Sequence, residues 1–182
     1  MMYTSLEIEF KSALTKEEYE LLIQTYNLEN KSFIQTNFYF DTNNYDLLNN
    51  KIILRIREKD YNIKLTSKIK QEIGTLERHI ILDKEKAYEM IKNGFDANII
   101  GIDYNVVNIA KLQTERVKFP YKNGIIFLDK NTYYDTVDYE VEFEAEDIEL
   151  GKKEFNEFLN EHNLKFQKLE SKGKRAYKKS SL

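Results

Sequence analysis

LEIEFK, residues 6–11, decides the fold. Side chains alternate along an extended chain, so Glu7, Glu9 and Lys11 share one face, with about 7 Å between neighbours. Leu6, Ile8 and Phe10 take the other face. A single strand of this kind fits the solvated side of a half-buried sheet. Four further segments repeat the pattern. In LRIR (54–57), Arg55 and Arg57 oppose Leu54 and Ile56. In IKLTSK (63–68), Lys64, Thr66 and Lys68 oppose Ile63 and Leu65. In TERVKF (114–119), Thr114, Arg116 and Lys118 oppose Val117 and Phe119. In YEVEFEA (139–145), Glu140, Glu142 and Glu144 oppose Tyr139, Val141, Phe143 and Ala145.

A solvated face usually mixes signs, because like charges directly opposite repel. Here acids dominate the first and last of these strands, and bases dominate those between. If the sheet closes, Glu7, Glu9, Glu140 and Glu142 come together. Their mutual repulsion calls for a hard divalent cation such as Mg²⁺ or Mn²⁺, which prefers oxygen ligands. The facing guanidinium and ammonium groups suit phosphate oxygens. Metal on one wall and phosphate ligands on the other are the equipment of phosphoryl chemistry. Without such ligands the crowding should strain the fold, so neutralising Glu9 is expected to stabilise it.

Composition agrees with a protein of this kind. The 182 residues fit a single domain, 1–182. Lys+Arg 28 against Asp+Glu 31, a net charge of -3, argues against a general duplex nucleic-acid surface. Without cysteine there is no disulfide framework, thiolate zinc site or cysteine nucleophile. No apolar run is long enough to span a membrane and no signal-peptide pattern is present. A cytoplasmic monomer or homodimer with no membrane or nucleic-acid partner is expected.

Alternating segments place strands near 3–11, 32–42, 51–59, 61–69, 74–82, 107–119, 124–130 and 133–145. Helical spacing marks 14–28, with Thr15 and Glu18 as a capping box, 83–94, ended by Gly94, and 149–164. A less regular helical stretch runs on to about residue 104, and the basic tail 169–182 is compatible with a helix. The plan is antiparallel α+β.

The motifs EIEFK (7–11), YFDT (39–42), LRIR (54–57), KLT (64–66), LER (76–78), TERV (114–117), LDK (128–130), EVEFE (140–144) and SKGKR (171–175) follow one order. In that order the chain resembles, over nearly its whole length, the CYTH (cyclase–thiamine triphosphatase) proteins, also called triphosphate tunnel metalloenzymes. The resemblance implies a closed eight-stranded antiparallel tunnel with a charged lumen, its outward apolar faces covered by helices. It implies a metal, Mg²⁺ or Mn²⁺, held by Glu7, Glu9, Glu140 and Glu142 with Glu77 and Asp129. Lys11, Arg55, Arg57, Lys64, Arg116, Lys172 and Arg175 would bind a small-molecule triphosphate, and Lys11 and Glu9 would act in catalysis. Arg78 alternates with Glu77, so only one of them faces inward, and Glu77 is the choice. Lys68, nearer its strand end, is expected to matter less.

The activity so implied is hydrolysis of inorganic, organic or nucleoside triphosphate by water attack on the terminal phosphorus. A class IV adenylyl cyclase, which forms cyclic AMP and diphosphate, has the same tunnel motifs. A non-catalytic polyphosphate- or nucleotide-binding module is the reading from a different class. Such a module needs the basic wall without the acids, and this chain has both. His79 and His162 lack partners at metal or triad spacing. DTNNYD (41–46) resembles the start of a calcium loop but lacks its central glycine and closing glutamate.

Overall fold

LEIEFK lies within β1 (Met2–Leu14) in the structure, a computed structural model that describes residues 2–180. The other strands are β2 (Phe33–Asp41), β3 (Ile52–Lys59), β4 (Asn62–Lys70), β5 (Thr75–Leu82), β6 (Phe95–Asp96), β7 (Asn105–Tyr121), β8 (Gly124–Tyr133) and β9 (Thr136–Ala145). Helices α1 (Lys16–Thr25), α2 (Asp46–Asn49), α3 (Lys84–Asn93), α4 (Ile148–Glu161) and α5 (Lys172–Ser180) lie between and after them.

Strand order is β2-β3-β4-β5-β1-β9-β8-β7, and pairing of β2 with β7 closes an antiparallel barrel of eight. The two-residue β6 pairs with β7 outside that circuit. β1 changes partner midway: Met2 to Glu7 pair with β5, and Ile8 to Leu14 pair with β9. This offset is the stagger that closure requires. It also sets charges opposite one another, with Lys11 facing Glu142 and Glu9 facing Glu144 across the ladder.

The apolar faces point outward into helices. Leu54, Ile56 and Leu65 pack with Ala87 and Met90 of α3 and with Leu47 of α2. Val117, Leu128, Val141 and Phe143 pack with Leu22 of α1 and with Phe155, Phe158 and Leu159 of α4. The inward positions are different at one end. Tyr39, Leu112 and Tyr133 have the strand parity of the lumen, and they pack against Ala176 of α5. A Cβ on Gly173 would lie 2.9 Å from the Tyr39 ring, so the helix approaches that closely. Thus α5 covers one end of the tunnel.

Local signals decide the element ends. The Glu18 N–H donates to Thr15 Oγ1 at 3.1 Å and the Thr15 N–H to Glu18 Oε2 at 2.7 Å, the reciprocal box expected at α1. The Asn-rich connection after β2 holds the short α2. The buried Asp41 carboxylate accepts from the N–H groups of Leu47 and Leu48, both at 2.9 Å. DTNNYD is therefore a helix-capping device. The stretch after Gly94 is not an α-helix: β6 leads into a 3-10 turn (Ala97–Ile100), where Asp96 accepts from the Asn98 N–H at 3.0 Å. Gly101, at φ +77°, ends it. The basic tail is helical from Lys172 to Ser180. Among the described residues no helix is long and apolar enough to cross a membrane.

Candidate active site

Three groups of charge line the lumen. In the first, the ladder sets Asp129 opposite both Arg116 and Glu140, with Glu142 one inward step along β9. Carboxylate oxygens of Asp129, Glu140 and Glu142 lie within 4.8 Å of one another, all buried. Asp129 and Glu140 are 0% exposed. Lys172 reaches in from α5, with Nζ 2.8 Å from Asp129 Oδ2 and 2.5 Å from Glu142 Oε1, and it also bonds Glu140. Arg116 donates to both Asp129 oxygens at 2.6 Å and bonds Glu142 as well. Arg175 donates through Nη2 to Glu140 Oε2 at 2.5 Å and lies 3.1 Å from Asp138.

In the second group, Lys68 bridges Glu7 at 2.6 Å and Glu77 at 2.5 Å. Glu77 also lies 3.1 Å from His79 Nε2. Lys11 and Glu9 pair at 3.2 Å. The third group is cationic. Arg55, Arg57 and Lys64 have no carboxylate partner among the described residues. Arg57 Nε donates to Asn37 Oδ1 at 2.9 Å, and the buried Arg55 Nε has no partner.

The electrostatics follow this division. Burial raises the Glu7 carboxyl against the pull of Lys68, and burial together with Glu9 raises Glu142. Burial also opposes ionisation of Glu9, but Lys11, Lys68, Lys172 and Arg116 outweigh it and bring its carboxyl to about 2. The expected strain at Glu9 is therefore absent; it rests on Glu7 and Glu142. The reason is register, which places Glu9 among cations. Burial likewise opposes charge on Asp129, and Lys172 and Arg116 hold it well below the usual carboxylate range. For Lys11, the Glu9 and Glu142 charges exceed the effect of burial and raise the ammonium. Burial, with Arg55 and Arg116 nearby, lowers the Arg57 guanidinium to about 9. A guanidinium so disfavoured, with no carboxylate beside it, is a place for an anion.

The donor set at Asp129, Glu140 and Glu142 is entirely carboxylate oxygen, which is what Mg²⁺ and Mn²⁺ take, so these residues fit such a cation. The Lys172 ammonium touches the same three carboxylates, and a cation would compete with it. Glu7, Glu9 and Glu77 stand outside this cluster, on Lys68 and Lys11. Lys68, near the end of β4 and opposite Glu77 in register, links two lumen acids, Glu7 and Glu77. Asp138 and Asn37 also face the lumen; the parity of Glu140 on the same strand was the available signal for Asp138, whereas Asn37 is revealed only by its register opposite Arg57. Arg78 points away from the lumen, as expected beside Glu77, and donates to the Ile100 carbonyl at 3.3 Å.

Comparison with known proteins places this architecture. Residues 5–177 match the CYTH domain. Over 183 aligned residues the chain is 32% identical to "Putative triphosphatase YjbK" of Bacillus subtilis strain 168, covering 97% of this chain and 96% of that protein. A crystal structure named as a "putative adenylate cyclase" of Bacillus halodurans superposes with a TM-score of 0.87 at 30% identity, over 94% of this chain and 97% of that one. HpAC1 of Hippeastrum, named as a "putative adenylyl cyclase" with a dominant triphosphatase activity, has a TM-score of 0.75 over 97% of each chain. At 21% identity it shares the fold alone. The motif order and the charged tunnel thus have their explanation in descent: the chain belongs to the CYTH domain family, the triphosphate tunnel proteins.

Proposed function

We propose that the protein is a divalent-metal-dependent triphosphatase acting in the tunnel lumen. One observation carries this reading: a single closed lumen sets converging carboxylates against Arg55, Arg57 and Lys64, cations with no carboxylate of their own. Those cations take the phosphate oxygens, the guanidinium groups as planar forks and the ammonium as a point charge. Arg116, Lys172 and Arg175 hold lumen acids in the free protein and carry further N–H donors for phosphate. Mg²⁺ or Mn²⁺ bound by Asp129, Glu140 and Glu142 would supply Lewis-acid neutralisation of phosphate charge.

Water attacks the terminal phosphorus, the bond from that phosphorus to its bridging oxygen breaks, and diphosphate or its ester leaves. Glu9 is ionised throughout the neutral range, and it accepts a hydrogen bond from the water and aims it. Lys11, kept charged by Glu9 and Glu142, neutralises an oxygen of the transferred phosphoryl group. Glu7 and Glu77 hold Lys68 in place and complete the acidic wall. Positioning and electrostatics suffice, with no covalent intermediate.

The name carried by the Bacillus halodurans relative supports a second reading, attack of the ATP 3′-hydroxyl on the α-phosphorus with loss of diphosphate. Incubation with inorganic triphosphate, ATP or thiamine triphosphate, each with Mg²⁺ or Mn²⁺, separates the two by product. Orthophosphate from any of the three supports the hydrolase. Cyclic AMP as the main product from ATP selects the cyclase, and no product from any substrate selects a binding module.

A further inference from the structure

Along β2 the lumen is lined by neutral groups. Gln35, Asn37 and Tyr39 share one strand parity, about 7 Å apart in succession, and are 3%, 0% and 4% exposed. The amide nitrogens of Gln35 and Asn37 and the Tyr39 hydroxyl have no hydrogen-bond partner among the described residues. Neither has Arg55 Nε, on the residue opposite Tyr39 in register. Buried polar atoms are nearly always paired, and leaving one unpaired costs stability, so such a row calls for a reason. The same lumen satisfies an amide fully elsewhere. Asn131 of β8, also 0% exposed, accepts from the Thr114 hydroxyl at 2.8 Å and donates to Asp138 at 3.0 Å.

The unpaired nitrogens on β2 and β3 are all donors. Arg57 Nε donates to Asn37 Oδ1 at 2.9 Å, which uses the acceptor of that amide and leaves its NH₂ group over. Gln35 lines a cavity of about 440 Å³ with Arg57, Lys64 and Arg116. Tyr39 packs against α5 and belongs to the covered end. Donors without acceptors suit a ligand whose surface atoms only accept, as phosphoryl oxygens do. A neutral amide adds direction to such a contact without adding charge, so it orients a ligand that the cations attract.

We infer that the side-chain amides of Gln35 and Asn37 donate to non-bridging oxygens of the bound triphosphate and orient it, forming a neutral back wall to the lumen. The inference rests on the proposed reading of the lumen as a triphosphate site. β2 is four strands from β1 in either direction round the barrel, so this wall stands across the lumen from the strand of Glu9 and Lys11. Oxygens held on β2 turn the terminal phosphorus toward the water that Glu9 aims.

Calorimetric titration with inorganic triphosphate, in EDTA and again with Mn²⁺ at fixed salt, tests it beside melting curves. Gln35→Met keeps the length of the side chain and removes the unpaired amide. It should melt no lower than wild type and bind triphosphate about tenfold more weakly, the scale of one charge-assisted contact. Asn37→Asp keeps the shape and gives Arg57 a carboxylate, but it replaces the donor with a charged acceptor. It should melt above wild type and bind triphosphate about a hundredfold more weakly. Wild-type affinity in either variant, or weaker binding by Gln35→Met together with a lower Tm, overturns the donor wall alone. Should Asn37→Asp not fold, Gln35→Met decides by itself. Failure of wild type to bind triphosphate under both conditions overturns the lumen reading, and the donor wall with it.

Discussion

Lys172 Nζ lies 2.5 Å from Glu142 Oε1 and touches Asp129 and Glu140 as well, so one ammonium group from α5 stands where three buried carboxylates converge. With Arg116 it supplies counter-charge to these buried acids, while burial lowers its own ammonium to about 7. Removing one partner of such a cluster leaves an uncompensated buried charge and costs about 3 kcal/mol or more. Lys172→Gln should therefore melt well below wild type without metal. The same variant frees the carboxylates, so Mn²⁺ alone should raise its Tm by more than it raises that of wild type. Equal Mn²⁺ shifts in the two proteins would mean that the cation binds elsewhere.

Lys68 and Arg57 should separate stability from binding. Lys68→Ala leaves Glu7 and Glu77 facing each other without their shared ammonium, and its main effect should be a lower Tm. Arg57→Lys keeps the charge but loses the planar fork and the Asn37 contact, so triphosphate should bind roughly tenfold more weakly with little change in Tm. Unaltered triphosphate affinity in Arg57→Lys would remove Arg57 from the binding wall.

Gly151 shows how tightly α4 lies on the barrel. A Cβ there would stand 2.5 Å from the Ala145 Cβ and 2.8 Å from the Phe10 ring. Alanine favours a helix by about 1 kcal/mol over glycine, but overpacking at fixed neighbours costs roughly 1–3 kcal/mol. Gly151→Ala should lower the urea midpoint and leave triphosphate affinity unchanged. A higher midpoint would show that α4 can lift off without loss.

His162 should give part of the acid response of stability. Its Nε2 lies 2.7 Å from the Tyr26 hydroxyl, its ring packs on Phe158, and burial lowers its imidazolium. The folded protein then takes up this proton at lower pH than the unfolded chain, whose histidine titrates near about 6.5. The unfolded state binds more protons in that interval, so this contribution is present above about pH 6.5 and is lost as pH falls through the folded value. Between about pH 7.5 and about pH 5, wild type should lose more Tm than His162→Gln. His79, also lowered by burial, leaves a residual slope in the variant. Parallel pH profiles would refute the assignment to His162.

Much of this architecture was legible in the sequence because strand period and charge coincide. Glu7, Glu9, Arg55, Arg57 and Glu142 reveal the inner face by parity, and Thr15 and Gly94 mark helix ends through local chemistry. Partner choice was not legible. Whether Glu7 meets Lys68 or Glu142 depends on where β1 changes from β5 to β9, a property of barrel stagger that no single strand encodes. The low carboxyl of Glu9 follows from the same offset. The reach of Lys172 depends on the docking of α5, some thirty residues along the chain from the acids it contacts. The four residues of α2 are too few for a periodic signal, and only the capping role of Asp41 exposes them.

The central claim is that the lumen carboxylates and cations act together on a triphosphate. Turnover of inorganic triphosphate with saturating Mn²⁺ in ¹⁸O-labelled water, followed by ³¹P NMR for wild type and Glu142→Gln side by side, tests it most directly. Wild type should release orthophosphate and diphosphate in equal amounts with the label in orthophosphate alone, and Glu142→Gln should be slower by about a hundredfold. Label in diphosphate, or undiminished turnover in the variant, would contradict it.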